Sequence, residues 1–278
     1  MATLERKLMR PQIPASSILK EGVKQVCSAL ALSLSHVGLG RLLRPRITVL
    51  LYHRVSDDAR DNLTVGIEQF DRQMALIRRH CLPLSIEQVL AKGDLLRSDA
   101  PLVAVTFDDG YLDNYVNAVP ILMRHGIPAA FFVSTGIVDS DSRFPHDVQR
   151  GNPPIPVMKW DQLRKMRDWG FTIGSHCENH IDCAAEPEER VRAELTQSRD
   201  KLRRELGVTS PLFAFPYGRR QNMTPQRLEF VKQAGYSACF SAYGGTNVGN
   251  IDPYNVLRRG IHWEFSDAAF LLECLGVR

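Results

Sequence analysis

The stretch Pro101-Leu102-Val103-Ala104-Val105-Thr106-Phe107-Asp108-Asp109-Gly110 decides how this chain is read. Its first seven residues are an apolar run with β-branched side chains, which predicts a core strand. Two carboxylates and a glycine follow at once. Alone, Asp-Asp-Gly is a common turn with helix-capping aspartates. Neighbouring residues at a strand end point in different directions. The pair therefore also allows one carboxylate to bind a metal while the other faces a bound water.

Strand and helix alternate on either side of this run. Arg46–Tyr52 (RITVLLY) reads as the first strand, with His53 and Arg54 at its end. Residues 67–80 and 84–92 read as helices. So do residues 113–125, where Pro120 is expected to kink the chain and Gly126 to end it. Further strands are expected at Ala129–Val133, Phe171–Gly174, Leu212–Phe215, Ala238–Ser241 and Val256–His262. Helices are expected at Trp160–Trp169, at Pro187–Leu206 with its charges facing water, at Thr224–Ala234 and at Ser266–Leu275. Residues 136–158 and 242–255 read as loops. About seven strands separated by helices give one α/β domain, either a barrel or an open parallel sheet. In both, the C-terminal ends of the strands gather on one face.

Polar clusters sit at just those ends: Tyr52-His53-Arg54, Asp108-Asp109-Gly110, Ser175-His176-Cys177-Glu178-Asn179-His180 and Pro216-Tyr217-Gly218, with His262 as a fifth candidate. His176 and His180 stand four apart, which on a helical turn brings both imidazoles to one side. Two surface histidines on a polar loop are the plainer reading. Together with an aspartate, however, they make an ordinary facial set for Zn²⁺ or another divalent ion. Cys177 and Cys183 flank the region without standard zinc-ligand spacing, and Cys177 is read as a bystander.

Thr106-Phe107-Asp108-Asp109-Gly110, the downstream Ser175-His176-Cys177-Glu178-Asn179-His180 and Pro216-Tyr217-Gly218, in this order, resemble the polysaccharide deacetylase family, the NodB-homology domain of carbohydrate esterase family 4. The early Tyr52-His53-Arg54-Val55 is similar to the subgroup that deacetylates exopolysaccharides of the poly-N-acetylglucosamine type. The resemblance implies a distorted (β/α) barrel of about seven strands, placed at residues 46–278; residues 1–45 read from their own charge and apolar spacing as a basic helical extension ahead of it. The resemblance also implies a metal-dependent hydrolase that removes N-acetyl groups from N-acetylated hexosamines in a polysaccharide, oligosaccharide or lipid-linked glycan. Carried over residue by residue, Asp109, His176 and His180 bind a divalent ion, Zn²⁺ or Co²⁺, and Asp108 is the base. The general acid is His53 or His262, with His53 favoured because it ends the first strand as in that subgroup. The backbone N–H of Tyr217, in the Pro216-Tyr217 turn, is the expected oxyanion donor.

The chain departs from the family pattern at Ala214, where an arginine usually orients the base. Arg54, Arg219 and Arg258 are candidates for that task. Trp160, Tyr217, Tyr243 and Trp263 are candidates to stack on sugar rings, although core packing is the default for aromatics. Residues 137–158 are a candidate lid exposing Phe144, His146 and Asp147, and Asp252 is a candidate to orient a histidine. Rival readings are an O-acetyl esterase or deformylase using the same centre, and a carbohydrate-binding domain without turnover.

The bulk numbers frame these expectations. The chain has 278 residues, of which 44% are hydrophobic and 24% charged, enough for a sizeable core without staples. A net charge of +4 is too small to argue for a nucleic-acid partner. Residues 1–46 hold eight Lys or Arg against Glu5 and Glu21, leaving +6 there and −2 in the remainder. Residues 19–37 show helical spacing of apolar residues (Leu19, Val23, Val26, Leu30, Leu34, Val37). They are expected to pack on the domain or to rest on an anionic membrane surface. Six scattered cysteines without a CxxC pair, and an N-terminus without an early apolar core, set the expectation of a reduced, cytoplasmic or membrane-peripheral protein that acts on a glycan.

Overall fold

The computed structural model describes residues 24–26, 46–91, 98, 100–209 and 211–277. Of the basic N-terminal extension, only the exposed helical residues 24–26 are described, so the expectation for 19–37 lies otherwise outside the described residues. Among the described residues no helix is long and apolar enough to cross a membrane.

In chain order the elements are β1 (Arg46–Tyr52), β2 (Arg54–Val55), β3 (Thr64–Val65), α1 (Ile67–His80), β4 (Leu82–Leu84), α2 (Ile86–Leu90) and β5 (Leu102–Phe107). A π-helical turn (Asn114–Ala118) then leads into α3 (Val119–His125), β6 (Ala129–Val133), α4 (Pro145–Gln149), α5 (Trp160–Asp168) and β7 (Thr172–Ser175). The chain finishes with α6 (Glu188–Leu206), β8 (Leu212–Ala214), a 3₁₀ turn (Arg220–Asn222), α7 (Pro225–Gln233), β9 (Ala238–Phe240), β10 (Asn247–Val248), β11 (Arg258–Gly260) and α8 (Asp267–Cys274).

The main sheet runs β10-β1-β5-β6-β7-β8-β9, with β11 added to β1 and β4 to β5. All these pairs are parallel except β1 with β10. The β11 strand pairs with β1, while Val256 just before it bridges to Phe240 on β9, so the curl of strands comes round into a distorted barrel. The register Ile47↔Leu102 through Tyr52↔Phe107 ties β1 to β5 along their whole length.

The period-two alternation of β5 sorts its side chains. Val103, Val105 and Phe107 join Leu50, Tyr52 and Phe131 under α1, α3 and α5, where Phe70, Met74, Leu122, Leu163 and Met166 cover them. Leu102 and Ala104 face the barrel interior with Val49, Ala130, Phe132, Ala214 and Phe240. Small residues are needed on that inner face. A Cβ on Gly174 would lie 2.6 Å from the ring of Phe132.

Several sequence expectations change. Leu84 belongs to β4, and Ser85 caps α2 by accepting from Gln88 N while the Gln88 side chain returns to Ser85 N. Pro120 sits in a helix that is not α throughout: the turn Asn114–Ala118 ahead of it widens to a π turn and α3 starts at Val119, so the residue without an N–H falls in the first α turn after the widened one. The connection 136–158 contains α4. Its Phe144 and Asp147 are buried and His146 is largely covered, because they pack inward against Tyr111 and His180 instead of facing solvent. Trp160 lies in the helix-side core, not on a sugar-facing surface. Asp252 accepts from Tyr254 N in its own loop. On α6, Val191, Leu195, Ser198, Leu202 and Leu206 form the buried stripe, and most charges face water as expected, but Glu194 is turned inward.

Candidate metal centre

The strands β1, β5, β7, β8 and β11 run parallel, so His53, Asp108 and Asp109, His176, Pro216 and Tyr217, and His262 all leave the sheet at one end. At the end of β5, Asp108 still donates its N–H to Tyr52 O at 3.0 Å. Asp109 then turns into the left-handed region at φ 73°, followed by Gly110 at φ 90°. Aspartate tolerates that conformation better than most residues. The turn sends the two carboxylates to different partners.

Asp109 faces the histidines. Its Oδ1 is 3.5 Å from His176 Nε2 and 3.2 Å from His180 Nε2. His176 Nδ1 lies 2.7 Å from the carbonyl of Ala214, to which it donates; this leaves Nε2 free to act as a ligand atom. The two rings do not sit on a helical turn. Cys177 (φ 63°) and His180 (φ 54°) are left-handed, and the loop between them is held from outside. Glu194 Oε2 accepts from the N–H groups of Glu178 and Asn179 at 3.0 and 2.7 Å, and Glu194 Oε1 accepts from Asn179 Nδ2 at 2.8 Å. Cys177 points away into the core, its Sγ 3.8 Å from that of Cys183, as befits a bystander. The five described cysteines are free thiols.

Asp109, His176 and His180 form a group of potential metal-ligand atoms that lie within 4.8 Å of one another, and all three residues are buried. Both carboxylate oxygens of Asp109 lack a hydrogen-bond partner. A buried carboxylate left that way carries a heavy desolvation cost, which a cation removes. Ligand atoms about 2.1 Å from a common ion stand roughly 3.0–3.4 Å apart, and Asp109 Oδ1 lies 3.5 and 3.2 Å from the two Nε2 atoms, close to that spacing. The residues therefore fit a divalent ion. Burial pushes the Asp109 carboxyl up, but neighbouring His180, His53 and His146 outweigh it and hold the group far below the usual range. Burial pushes His176 down to about 4, so its ring is neutral, as a metal ligand must be, at ordinary pH.

Asp108 has a different partner. Arg258 on β11 grips it with a fork, Nη1 to Oδ1 and Nη2 to Oδ2, both at 2.7 Å, while Arg258 Nε donates to Ser241 O at 2.7 Å. Arg258 has no exposed surface and Asp108 only 2%. Burial pushes the Asp108 carboxyl up, yet Arg258, His176 and His53 prevail and keep it below the usual value. Of the three arginines that are candidates for the task of the arginine missing at Ala214, Arg258 is therefore the one on the carboxylate. Arg54 instead pairs with Asp113 at 2.8 Å, and Arg219 is exposed.

His53 is half-buried and close enough for its charge to act on both Asp108 and Asp109. His262, also half-buried, packs edge-on against Phe265 and lies 3.8 Å from Glu264. Tyr217 is left-handed (φ 60°), and its ring stands 5.1 Å from that of His180. Pro216 beneath it is buried, and a side chain on Gly218 would run into Ala242 N at 2.7 Å. Tyr243 lies under the Arg220 guanidinium, while Trp263 is exposed. One residue of the site escaped the sequence reading, Glu194, hidden among the charges of a surface helix; His146 reads in the sequence only as an exposed residue of a candidate lid, because its loop carries no periodicity to show that it turns inward.

The family model for polysaccharide deacetylase matches residues 96–239, just over half of the chain. The poly-β-1,6-N-acetyl-D-glucosamine N-deacetylase of Staphylococcus aureus is 25% identical over 238 residues, 83% of this chain and 78% of that protein. The Escherichia coli protein of the same name is 25% identical over 240 residues, 72% of this chain. The chain spans only 34% of that relative's length and 62% of the length of YxkH of Bacillus subtilis. Among solved structures, the Streptococcus pyogenes deacetylase PplD in complex with acetate superposes with a TM-score of 0.68 at 23% identity, over 83% of this chain and 99% of that one. IcaB from Ammonifex degensii does so with 0.66 at 24% identity, over 84% and 98%. The barrel, the paired aspartates, the two histidines and the match over residues 96–239 together make this chain a member of the polysaccharide deacetylase family.

Proposed function

We propose that this protein is a metal-dependent N-deacetylase of N-acetylglucosamine-type glycans, and that the ion is Zn²⁺. The observation that carries the reading is the pairing of a buried Asp109–His176–His180 ligand set with an adjacent carboxylate, Asp108, held ionised by Arg258. Two imidazoles and one carboxylate suit Zn²⁺, with positions left for water and substrate. A divalent ion held there supplies Lewis acidity and lowers the pKa of water.

The chain's own residues do the rest. Asp108 is ionised and accepts a proton from the attacking water. Arg258 fixes the plane of that carboxylate, so its free lone pairs face the ligand set. The Tyr217 turn lies beside His180, and its backbone N–H donates to the oxygen of the acetyl carbonyl as negative charge builds there. His53, on the β1 side of the carboxylate pair, donates a proton to the departing sugar nitrogen. Water's oxygen becomes bonded to the acetyl carbon, the C–N bond breaks, and acetate and a free amine leave.

Acetate release from N-acetylglucosamine oligomers and a lipid-linked N-acetyl sugar tests the reading, using metal-stripped protein reloaded with Zn²⁺ or Co²⁺. Release restored by metal and abolished by Asp108→Asn is expected. Failure to bind either ion would remove the mechanism, while metal binding with release only from O-acetyl esters would reassign the substrate.

A further inference from the structure

Beside the histidines used above, the strand-end cluster contains His146, to which the mechanism gives no role. Its ring belongs to α4, in the long connection before α5, and only 13% of its side chain is exposed. The ring stacks on Phe144, with centroids 5.3 Å apart, and meets the His180 ring edge-on at 5.1 Å. Its Nε2 lies 2.9 Å from the phenolic oxygen of Tyr111 and 3.6 Å from Asp109 Oδ2.

The protons in this cluster can be assigned by elimination. Tyr111 is fully buried, and its single hydroxyl proton is donated to Asp147 Oδ2 at 2.7 Å, since an ionised carboxylate only accepts. Asp147 Oδ1 in turn accepts from Asn152 Nδ2 at 2.9 Å. The Tyr111 oxygen is thus left as an acceptor towards His146, so His146 Nε2 must carry a proton. That N–H has two acceptors in front of it, Tyr111 Oη and Asp109 Oδ2. Asp109 shows Oδ1 to both metal-binding histidines, while its Oδ2, with no hydrogen-bond partner, faces His146 Nε2 at 3.6 Å.

We propose that His146 is a positioning residue of the metal site, whose Nε2–H, braced by Tyr111 and Asp147, holds Asp109 Oδ2 away from the ion so that Asp109 binds through Oδ1 alone. A carboxylate without such a partner is free to rotate and chelate with both oxygens, which changes coordination number and the space left for substrate. The same contact ties the 137–158 connection to the ligand set: the segment whose Phe144 and His146 pack against His180 also sets the geometry of one ligand. The inference rests on the metal-site reading given above.

Co²⁺ binding, read by its visible absorption and by calorimetry on the full chain, tests it without reference to turnover. His146→Ala should weaken Co²⁺ binding by about ten- to a hundredfold, the usual effect of losing such a support. It should also alter the visible bands as Asp109 becomes bidentate. His146→Gln, whose amide N–H can still reach Asp109, should recover the wild-type spectrum and most of the affinity. Far-ultraviolet circular dichroism controls for folding. An Ala variant with wild-type spectrum and affinity would overturn the proposal while leaving the metal site intact. A Gln variant as impaired as the Ala variant would overturn it in favour of direct ligation by His146. Wild-type protein that binds no Co²⁺ would sink both this inference and the site reading on which it rests.

Discussion

Replacing Arg258 by methionine should move the acid limb of the pH–rate profile upward. Methionine keeps much of the aliphatic volume and removes the charge. The pair it breaks is bidentate, with both contacts at 2.7 Å, and neither residue has appreciable solvent exposure. Two unit charges about 4 Å apart attract by about 4 kcal/mol at an effective dielectric constant near 20. At 1.36 kcal/mol per unit, this corresponds to roughly 3 pKa units. In the wild type, Asp108 is held below the usual carboxylate range, so the base stays ionised, and activity persists, until pH falls through that depressed value. In the variant the Arg258 charge no longer opposes burial, so protonation sets in at a higher pH. The acid limb of kcat/KM should therefore rise by roughly 2–3 units in metal-loaded enzyme. The linked stability has the same sign. The stabilisation from the pair is full above the unfolded carboxylate value and fades as pH falls through the folded one. Its loss should therefore cost most near neutral pH, about 3–5 kcal/mol in urea unfolding. Arg258→Lys should lie between, because a point charge replaces the fork. An Arg258→Met protein that folds, binds metal and shows an acid limb within about half a unit of wild type would refute the assignment of Arg258 as the group that sets the base.

Other outcomes follow from particular contacts. His53→Ala should lower kcat by about 10²–10⁴ with metal content unchanged, whereas His262→Ala should leave most of kcat; the reverse pattern in steady-state assays would move the acid to His262. Glu194→Ala should orphan the N–H groups of Glu178 and Asn179 and loosen the loop that carries His180. A loss of about 2–5 kcal/mol in urea unfolding, together with weaker Zn²⁺ binding by calorimetry, is expected, and unchanged values for both would show that the loop holds itself. Gly174→Ala would place a methyl 2.6 Å from Phe132 and 3.1 Å from Leu212 O on the crowded inner face. Thermal unfolding should show a loss of about 1–3 kcal/mol.

Much of the barrel was legible along the chain. The run at 101–107 is buried at every position of β5, and the strands expected at 46–52, 129–133 and 238–241 all appear within a residue or so. These elements are read locally because a core strand needs an apolar run, and such a run is visible without knowing its neighbours. Where expectation and structure part, a neighbour intervened. The helix around Pro120 took a widened π turn just ahead of it, and 137–158 folded back onto Tyr111 and His180 although its own pattern carries no periodicity.

The candidate site divides along the same line. Asp108, Asp109, His176 and His180 were determined by the sequence alone, because each pair lies within one short segment directly after a strand, and parallel strands deliver such segments to one end. The tertiary structure alone decided which arginine meets Asp108. Arg258 stands 150 residues away, on β11, and reaches the carboxylate only because β11 pairs with β1 beside β5. It also decided that Glu194, one acid among many on α6, turns inward to hold the His180 loop, and that His146 faces the unpaired oxygen of Asp109. A charged residue gives the same local signal whether it faces water or a buried partner. The difference is made by desolvation, and desolvation depends on what the folded chain brings opposite.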